Sequence, residues 1–257
     1  MENNSTILEN VPAIFSKYPS PSRSKHYKFF DTSELLNIFC SQGWTVTSAF
    51  QMKSRNTEIS AYKKHLIRLR NSEIHYSNNE IPEIVIVNSH DGSSSLKIML
   101  GIFRIICSNG LIVQDKNFGS YSIRHSATWQ QEIIELCKQI VIDISNLTVN
   151  IDIMKKRILS EAEIIEFANV AFKIRFGEKS NINAADYGLL LTVRREEDAG
   201  NDLWTIMNRI QENCIEGGNI YLSPKGTTRI TRKVRAITKS VKINTALWSQ
   251  ASTYLAA

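Results

Sequence analysis

Beyond Glu216 this 257-residue sequence contains neither aspartate nor glutamate. Over the same stretch it carries seven basic side chains, Lys225, Arg229, Arg232, Lys233, Arg235, Lys239 and Lys242. The formal net charge of the whole chain is only +6, so the remainder nearly balances itself and the excess sits in one tail. Segregated positive charge attracts polyanions, and nucleic acid is the default among them. Other shortages exclude other classes. The four cysteines, Cys40, Cys107, Cys137 and Cys214, are scattered among apolar neighbours. They read as buried free thiols in a reducing cytoplasm, not as a disulfide frame or a zinc knuckle. The opening residues lack the basic and apolar regions of a secretory signal. The longest apolar stretch, from Ile98 to Val113, is broken by Arg104 and by Ser108-Asn109-Gly110, and is too polar to span a bilayer. No internal repeat, low-complexity tract or phosphate-binding glycine loop is present. His65, His75, His90 and His125 have neither ligand spacing nor a nearby cysteine, so neither metal nor cofactor is expected.

What is present reads as an α+β chain. Residues 1–22 end in Tyr18-Pro19-Ser20-Pro21-Ser22 and suggest a flexible leader. The span 23–257 reads as a single domain, sheet-rich over 44–125 and helical over 126–217, with a basic strand and terminal helix over 218–257. Asp31-Thr32-Ser33-Glu34 has the form of a capping box, opening a short helix that stops at Gly43. Trp44 to Phe50 predicts a strand, and Lys64 to Arg70 alternates basic with apolar positions, as a strand with one wet and one dry face does. Asp91-Gly92 and Asn109-Gly110, each between apolar runs, predict two hairpins. After Ser126 the period lengthens. Trp129, Ile133, Leu136, Cys137, Ile140, Val141, Ile144 and Leu147 line one face of a long helix. Ser160 to Glu163 is a second capping box, for a helix ending at Gly177. Helices are also predicted over 184–194 and from Leu203, where Leu203, Ile206, Met207, Ile210 and Cys214 face inward. Asn208, Arg209, Gln211, Glu212 and Asn213 are left outside or at the border. A strand over 228–238 and an amphipathic helix with Leu247, Trp248, Ala251, Tyr254 and Leu255 complete the chain. The expected architecture is an antiparallel N-terminal sheet packed with a C-terminal helical layer, plus the basic strand and helix.

Four blocks carry a family likeness. They are Tyr27 to Thr32 with Gly43-Trp44; Val87 to Ser93 leading into Gly101 to Arg104 and Cys107 to Leu111; Arg194 to Asp198 with Leu203 to Gly218; and Lys242 to Trp248. In that order they resemble the phage- and plasmid-related proteins grouped as domain-of-unknown-function family 932. The resemblance implies residence on a mobile genetic element and a cytoplasmic role in a bacterial host. It brings no catalytic residues with it.

The candidate nucleic-acid-binding residues are Lys225, Arg229, Arg232, Lys233, Arg235 and Lys239 of the tail, with Arg229, Lys233 and Arg235 on one face of the predicted strand. The alternative for such a strand is an edge whose cations prevent aggregation. Arg209 and Gln211 join them if the amide-rich helix face is exposed, where it could hold phosphate and base edges; the other reading of that face is a buried polar network. Lys64, Arg68 and Arg70 of the first sheet could extend the track, and Trp44, Tyr62 or Tyr221 could stack on bases. His90-Asp91 invites a catalytic reading but lacks a nucleophile, and Asp-Gly there makes the turn. Glu196, Glu197, Asp198 and Asp202 could hold magnesium, although Arg194 and Arg195 beside them are simpler partners. The expectation is a DNA-binding protein without catalysis, favouring single-stranded DNA, in recombination, annealing or replication of a phage or plasmid. Two alternatives are a protein-binding inhibitor of host defence and a metal-dependent nuclease. No membrane partner is expected; a homo-oligomer or a host protein partner is compatible with the same features.

Overall fold

Alternating apolar and polar side chains build the N-terminal sheet in this computed structural model, which describes residues 7–54, 56, 58–74, 76–77, 79–105, 109–113, 120–121, 123, 128–177, 184–223 and 225–255. Cys107, Ser108, His75 and His125 lie outside the described residues. The architecture is α+β, with an antiparallel sheet in the N-terminal half and helices in the C-terminal half. The chain divides into two compact units, Met1–Ser145 and Asn146–Ala257.

In the first unit, helix α1 (Thr32–Ser41) starts where Asp31 accepts hydrogen bonds from the backbone N–H groups of Ser33 and Glu34, at 2.9 and 3.2 Å. Glu34 does not return the bond to complete a capping box; its carboxylate accepts from Gln130. Gly43, at φ +84°, turns the chain into the sheet. Five strands follow as an antiparallel meander in chain order: β1 (Trp44–Gln51), β2 (His65–Asn71), β3 (Glu80–Asn88), β4 (Lys97–Arg104) and β5 (Asn109–Val113). A short β6 (Ser120–Tyr121) also pairs with β4. In β2 the alternation is realised, with His65, Ile67 and Leu69 buried and Leu66, Arg68 and Arg70 half-buried opposite. The unbroken apolar run Ile84 to Val87 makes β3 a central strand buried on both faces.

Three expectations are corrected here. Residues 7–22 are not a free leader: Val11, Ala13 and Ile14 are buried, and the Ala13 N–H donates to Gln51 at 3.0 Å. Three apolar residues within four positions anchor the segment by burial. The second hairpin forms between β4 and β5, but the Asn109-Gly110 pair is not in its turn. Asn109 and Gly110 open β5, opposite Arg104 and Phe103. The Arg68 guanidinium lies against Gly110 and donates to its carbonyl at 3.0 Å, so a side chain there would have to displace it. Cys40 is exposed, since Phe39 takes the inward place in the last turn of α1. Helix α2 (Trp129–Lys156) then carries the chain into the second unit. Ile133, Leu136, Cys137, Ile140, Ile144 and Leu147 are buried along it, but Val141 is exposed; Asp143 is buried and accepts from Tyr121 at 2.6 Å.

The second unit is arranged around α4 (Leu203–Glu216), which is capped by Asp202 and neighboured by α3 (Glu161–Phe176), α5 (Ile237–Thr253) and 3-10 turns at Ala184–Leu191 and Glu196–Asp198. The capping box of α3 forms as predicted, with Ser160 and Glu163 exchanging both bonds, and Gly177 ends it at φ +80°. The segment predicted as a helix over 184–194 is 3-10 helix over Ala184–Leu191. The basic strand is shorter than expected and does not join the N-terminal sheet. Among the described residues β8 (Thr228–Ile230) pairs only with β7 (Ile220–Leu222), making a two-stranded ribbon. Past Ile230 the Thr231 N–H still donates to Asn219 O, its partner in the same register, at 2.9 Å, and the pairing ends beyond it, where the Val234 N–H turns to Ile215 O at 2.7 Å. Lys239 and Lys242 are helical, within α5.

Twelve of the fourteen residues of α4 are buried. Ile206→Ala or Ile210→Ala is therefore expected to cost about 2–5 kcal/mol. Arg209→Ala and Gln211→Ala, which an exposed face would tolerate, are each expected to cost about 1–3 kcal/mol by leaving buried acceptors unpaired. Chemical denaturation of the four variants checks both; unchanged midpoints for the polar pair would show that face to be wet.

Candidate nucleic-acid interface

The C-terminal cations are held at the surface by a backbone that is tied down beneath them. Gly217 and Gly218 leave α4 at positive φ, and a Cβ at Gly217 would stand 2.6 Å from Thr231 O. Gly218 N–H donates to that same carbonyl at 2.8 Å, and the Asn219 N–H donates to Thr231 Oγ1 at 3.0 Å. Arg194 spans the same corner, donating to Asn213 Oδ1, Gly217 O and Asn219 Oδ1. From this base the ribbon extends and returns, and the chain runs through Thr231 and Val234, both buried, into α5. Lys225, Arg229, Arg232, Lys233, Arg235, Lys239 and Lys242 are all exposed. Among the described residues the only ion pair in this stretch is Lys233 with Glu216, at 2.6 Å. The pKa of Lys239 is lowered by partial desolvation and by the Arg175 cation near it. The amino end of α5 has no side-chain cap and no acid in its first turn, so its dipole adds positive potential beside Arg235 and Lys239.

The other predicted site residues do not share this exposure. Arg209 is buried and donates to the carbonyls of Asp198 and Gly200. Gln211 is fully buried and donates to Asn244 Oδ1 at 2.7 Å. Asn213 bonds the carbonyls of Leu190 and Thr192, and Glu212 accepts two bonds from Arg195. The amide-rich face is an internal network. In the first unit, Arg68 and Arg70 both pair with Glu83, whose side chain is fully buried; Lys64 is half-buried. Trp44 belongs to the core, while Tyr62 and Tyr221 are half-buried. What sequence reasoning missed is the other face of the ribbon, where Ile220, Leu222 and Ile230 are exposed. Their spacing on either side of Gly226 was the available signal.

The catalytic and metal candidates are structurally engaged. His65 and His90 are buried around Thr32, whose Oγ1 lies 3.0 Å from His65 Nε2 and also accepts from Asn88 at 3.0 Å. His65 Nδ1 faces Lys63 O and His90 Nε2 faces Ala13 O, so each carries its proton on that nitrogen. Asp91 pairs with Lys63 and accepts from Ser93, without bonding His90. Asp198 pairs with Arg195, and Asp202 caps α4. Among the described residues no group of three or more His, Cys, Asp or Glu converges as a metal site, and no helix is long and apolar enough to cross a membrane.

The model of a family described as "Domain of unknown function (DUF932)" matches residues 20–248. The UPF0380 protein YfjQ of Escherichia coli (strain K12) is 35% identical over 249 residues, which cover 97% of this chain and 90% of the relative. The UPF0380 protein YafZ of the same organism is 34% identical over the same shares. No solved structure matches the chain.

Burial lowers the pKa of His65 to about 4 and also lowers that of His90. Unfolded, both titrate near 6.5, so the unfolded chain binds more protons below that pH. Stability is therefore full above about pH 6.5 and falls as pH drops toward 5, by at most roughly 1.4 kcal/mol per pH unit for each histidine. Denaturation at pH 7.5, 6 and 5 checks this. A His65→Gln variant should show a shallower dependence, and an equal slope would remove His65 from the account.

Proposed function

The chain belongs to the DUF932 family, and from its exposed C-terminal cations we propose that it binds nucleic acid without catalysing a reaction, with single-stranded DNA as the preferred form. One observation carries the reading: seven basic side chains within residues 225–242 are exposed, and among the described residues a single carboxylate pairs with any of them. Elsewhere in the chain, cations that could have served the same purpose are turned to structural use, as Arg68, Arg70, Arg195 and Arg209 are. Exposed cations without carboxylate partners lose little on meeting phosphate and release its condensed counterions. Single strands suit a narrow track of charge beside a small ribbon, because their backbone can follow the protein surface. The setting that fits is recombination, annealing or replication of a phage or plasmid in a bacterial cytoplasm, by analogy with other proteins of such elements.

If Arg229, Arg232 and Arg235 contact phosphates, log affinity falls linearly with log salt, by about 0.7 per contact on a single strand. Changing these three to Gln is expected to flatten that slope by roughly 2. Thermal stability should be nearly unchanged, since none of the three side chains is buried. Titration of labelled single-stranded and duplex oligonucleotides across salt concentrations measures the slope. An unaltered slope and affinity in the triple variant would reject the tail as the binding surface. Salt-independent or absent binding by the unmodified protein would reject the reading itself and leave an acidic protein partner in its place.

A further inference from the structure

The exposed ribbon carries a second kind of surface alongside its charge. Register sets Ile220 opposite Ile230 and Leu222 opposite Thr228, so these four share one face, while Tyr221 and Arg229 share the other. Ile220, Leu222 and Ile230 are 64%, 62% and 61% exposed. Three large aliphatic side chains thus stand in water on a strip only two strands wide. The strip is not a loose end turned outward by chance, because the ribbon's base is fastened at Gly217, Gly218 and Asn219, as described above.

We propose that this strip contacts the unstacked bases of a single-stranded nucleic acid whose phosphates are held by the neighbouring cations. The proposal rests on the nucleic-acid reading above and assigns the part of the ligand that the apolar face meets. Three observations favour this occupant. The strip is surrounded along the chain by Lys225, Arg229, Arg232, Lys233 and Arg235, with no acid after Glu216, so whatever covers it must tolerate concentrated positive charge. Within the eleven residues from Ile220 to Ile230, Lys225 and Arg229 lie between Leu222 and Ile230, so apolar and cationic side chains adjoin, as the rings and phosphates of a nucleic acid do. Ile220 and Leu222, two residues apart on one strand, project from points roughly 7 Å apart. With Ile230 opposite Ile220, they offer the flat face of a base ring an exposed apolar surface to lie against. A duplex would first have to open its base stack, whereas a single strand presents its rings already exposed.

The test separates base contact from phosphate contact. An oligothymidine of about twenty nucleotides is compared with an abasic strand of equal length, a span that exceeds one small binding site. Both are titrated across salt concentrations with the unmodified protein and with an Ile220→Thr/Leu222→Thr/Ile230→Thr variant, in which the β-branched replacements retain strand propensity. The unmodified protein should bind oligothymidine at least about tenfold more tightly than the abasic strand at every salt concentration, with similar slopes, from the apolar area covered. The triple variant should lose that preference while keeping the slope. Equal affinity of the unmodified protein for both strands would overturn the proposal. This arm needs no mutation, so it decides the question even if the variant misfolds. A folded variant that keeps its preference would also overturn it, and if that variant elutes as a smaller species, the strip is an interface between copies of the chain. A preference seen only in duplexes would equally count against it. Loss of all salt dependence in the unmodified protein would instead trace the failure to the phosphate reading.

Discussion

A helix buried on nearly every side must supply a partner for each polar group it takes into the interior, and Leu203–Glu216 takes in five: Asn208, Arg209, Gln211, Glu212 and Asn213. An unpartnered buried amide or charge costs more than a typical hydrogen bond returns, so the surroundings of the helix are arranged to meet these side chains. The Glu196–Asp198 turn offers its carbonyl to Arg209, Arg195 closes on Glu212 and Asp198, and Asn244 reaches from the terminal helix to Gln211. Arg194 extends the network from Asn213 to Gly217 and Asn219, the foot of the ribbon. The position of the exposed surface is thereby a consequence of how a polar helix is satisfied inside.

The first unit solves a similar problem with different chemistry. Glu83 lies in the middle of the sheet with a fully buried side chain, and two arginines of the adjacent strand neutralise it. Removing Glu83 would leave two partly buried guanidinium groups without their carboxylate, which is why buried ion pairs are costly to break even where they add little to net stability. Beside the same sheet, His65, His90, Thr32 and Asn88 form a neutral hydrogen-bonded cluster that ties α1 and the segment around Ala13 to strand ends. Both arrangements use ionisable residues as structural parts.

Against this background the C-terminal stretch is distinct. Its cations are distributed over a ribbon, an extended connection and the first turns of a helix, so no single secondary structure explains their clustering. What unites them is the lack of acids after Glu216 and the exposure of every one. Exposed aliphatic side chains are unremarkable singly, but three in register on a ribbon embedded in positive charge form a surface of mixed character. Such a surface suits a ligand that is itself part charged and part apolar.

Signals that act over a few residues were legible in the sequence. Ser160 with Glu163, Asp31, Gly43 and Gly177 marked helix boundaries because capping joins groups one turn apart. The alternation in His65–Asn71 marked a strand because successive side chains must point to opposite faces. The segregation of charge was equally plain, since it needs only the order of residues. Partnership across the fold was not. Arg68 and Arg229 are both arginines on strands, yet one is closed over Glu83, fifteen residues away, and the other stands in solvent. Gln211 fitted an exposed face and a buried network equally until Asn244, thirty-three residues later, was brought against it. The sequence by itself determined the elements, their caps and the charge of the tail. Only the tertiary structure decided which polar residues are enclosed and which remain free, because burial depends on residues that the chain places together from far apart.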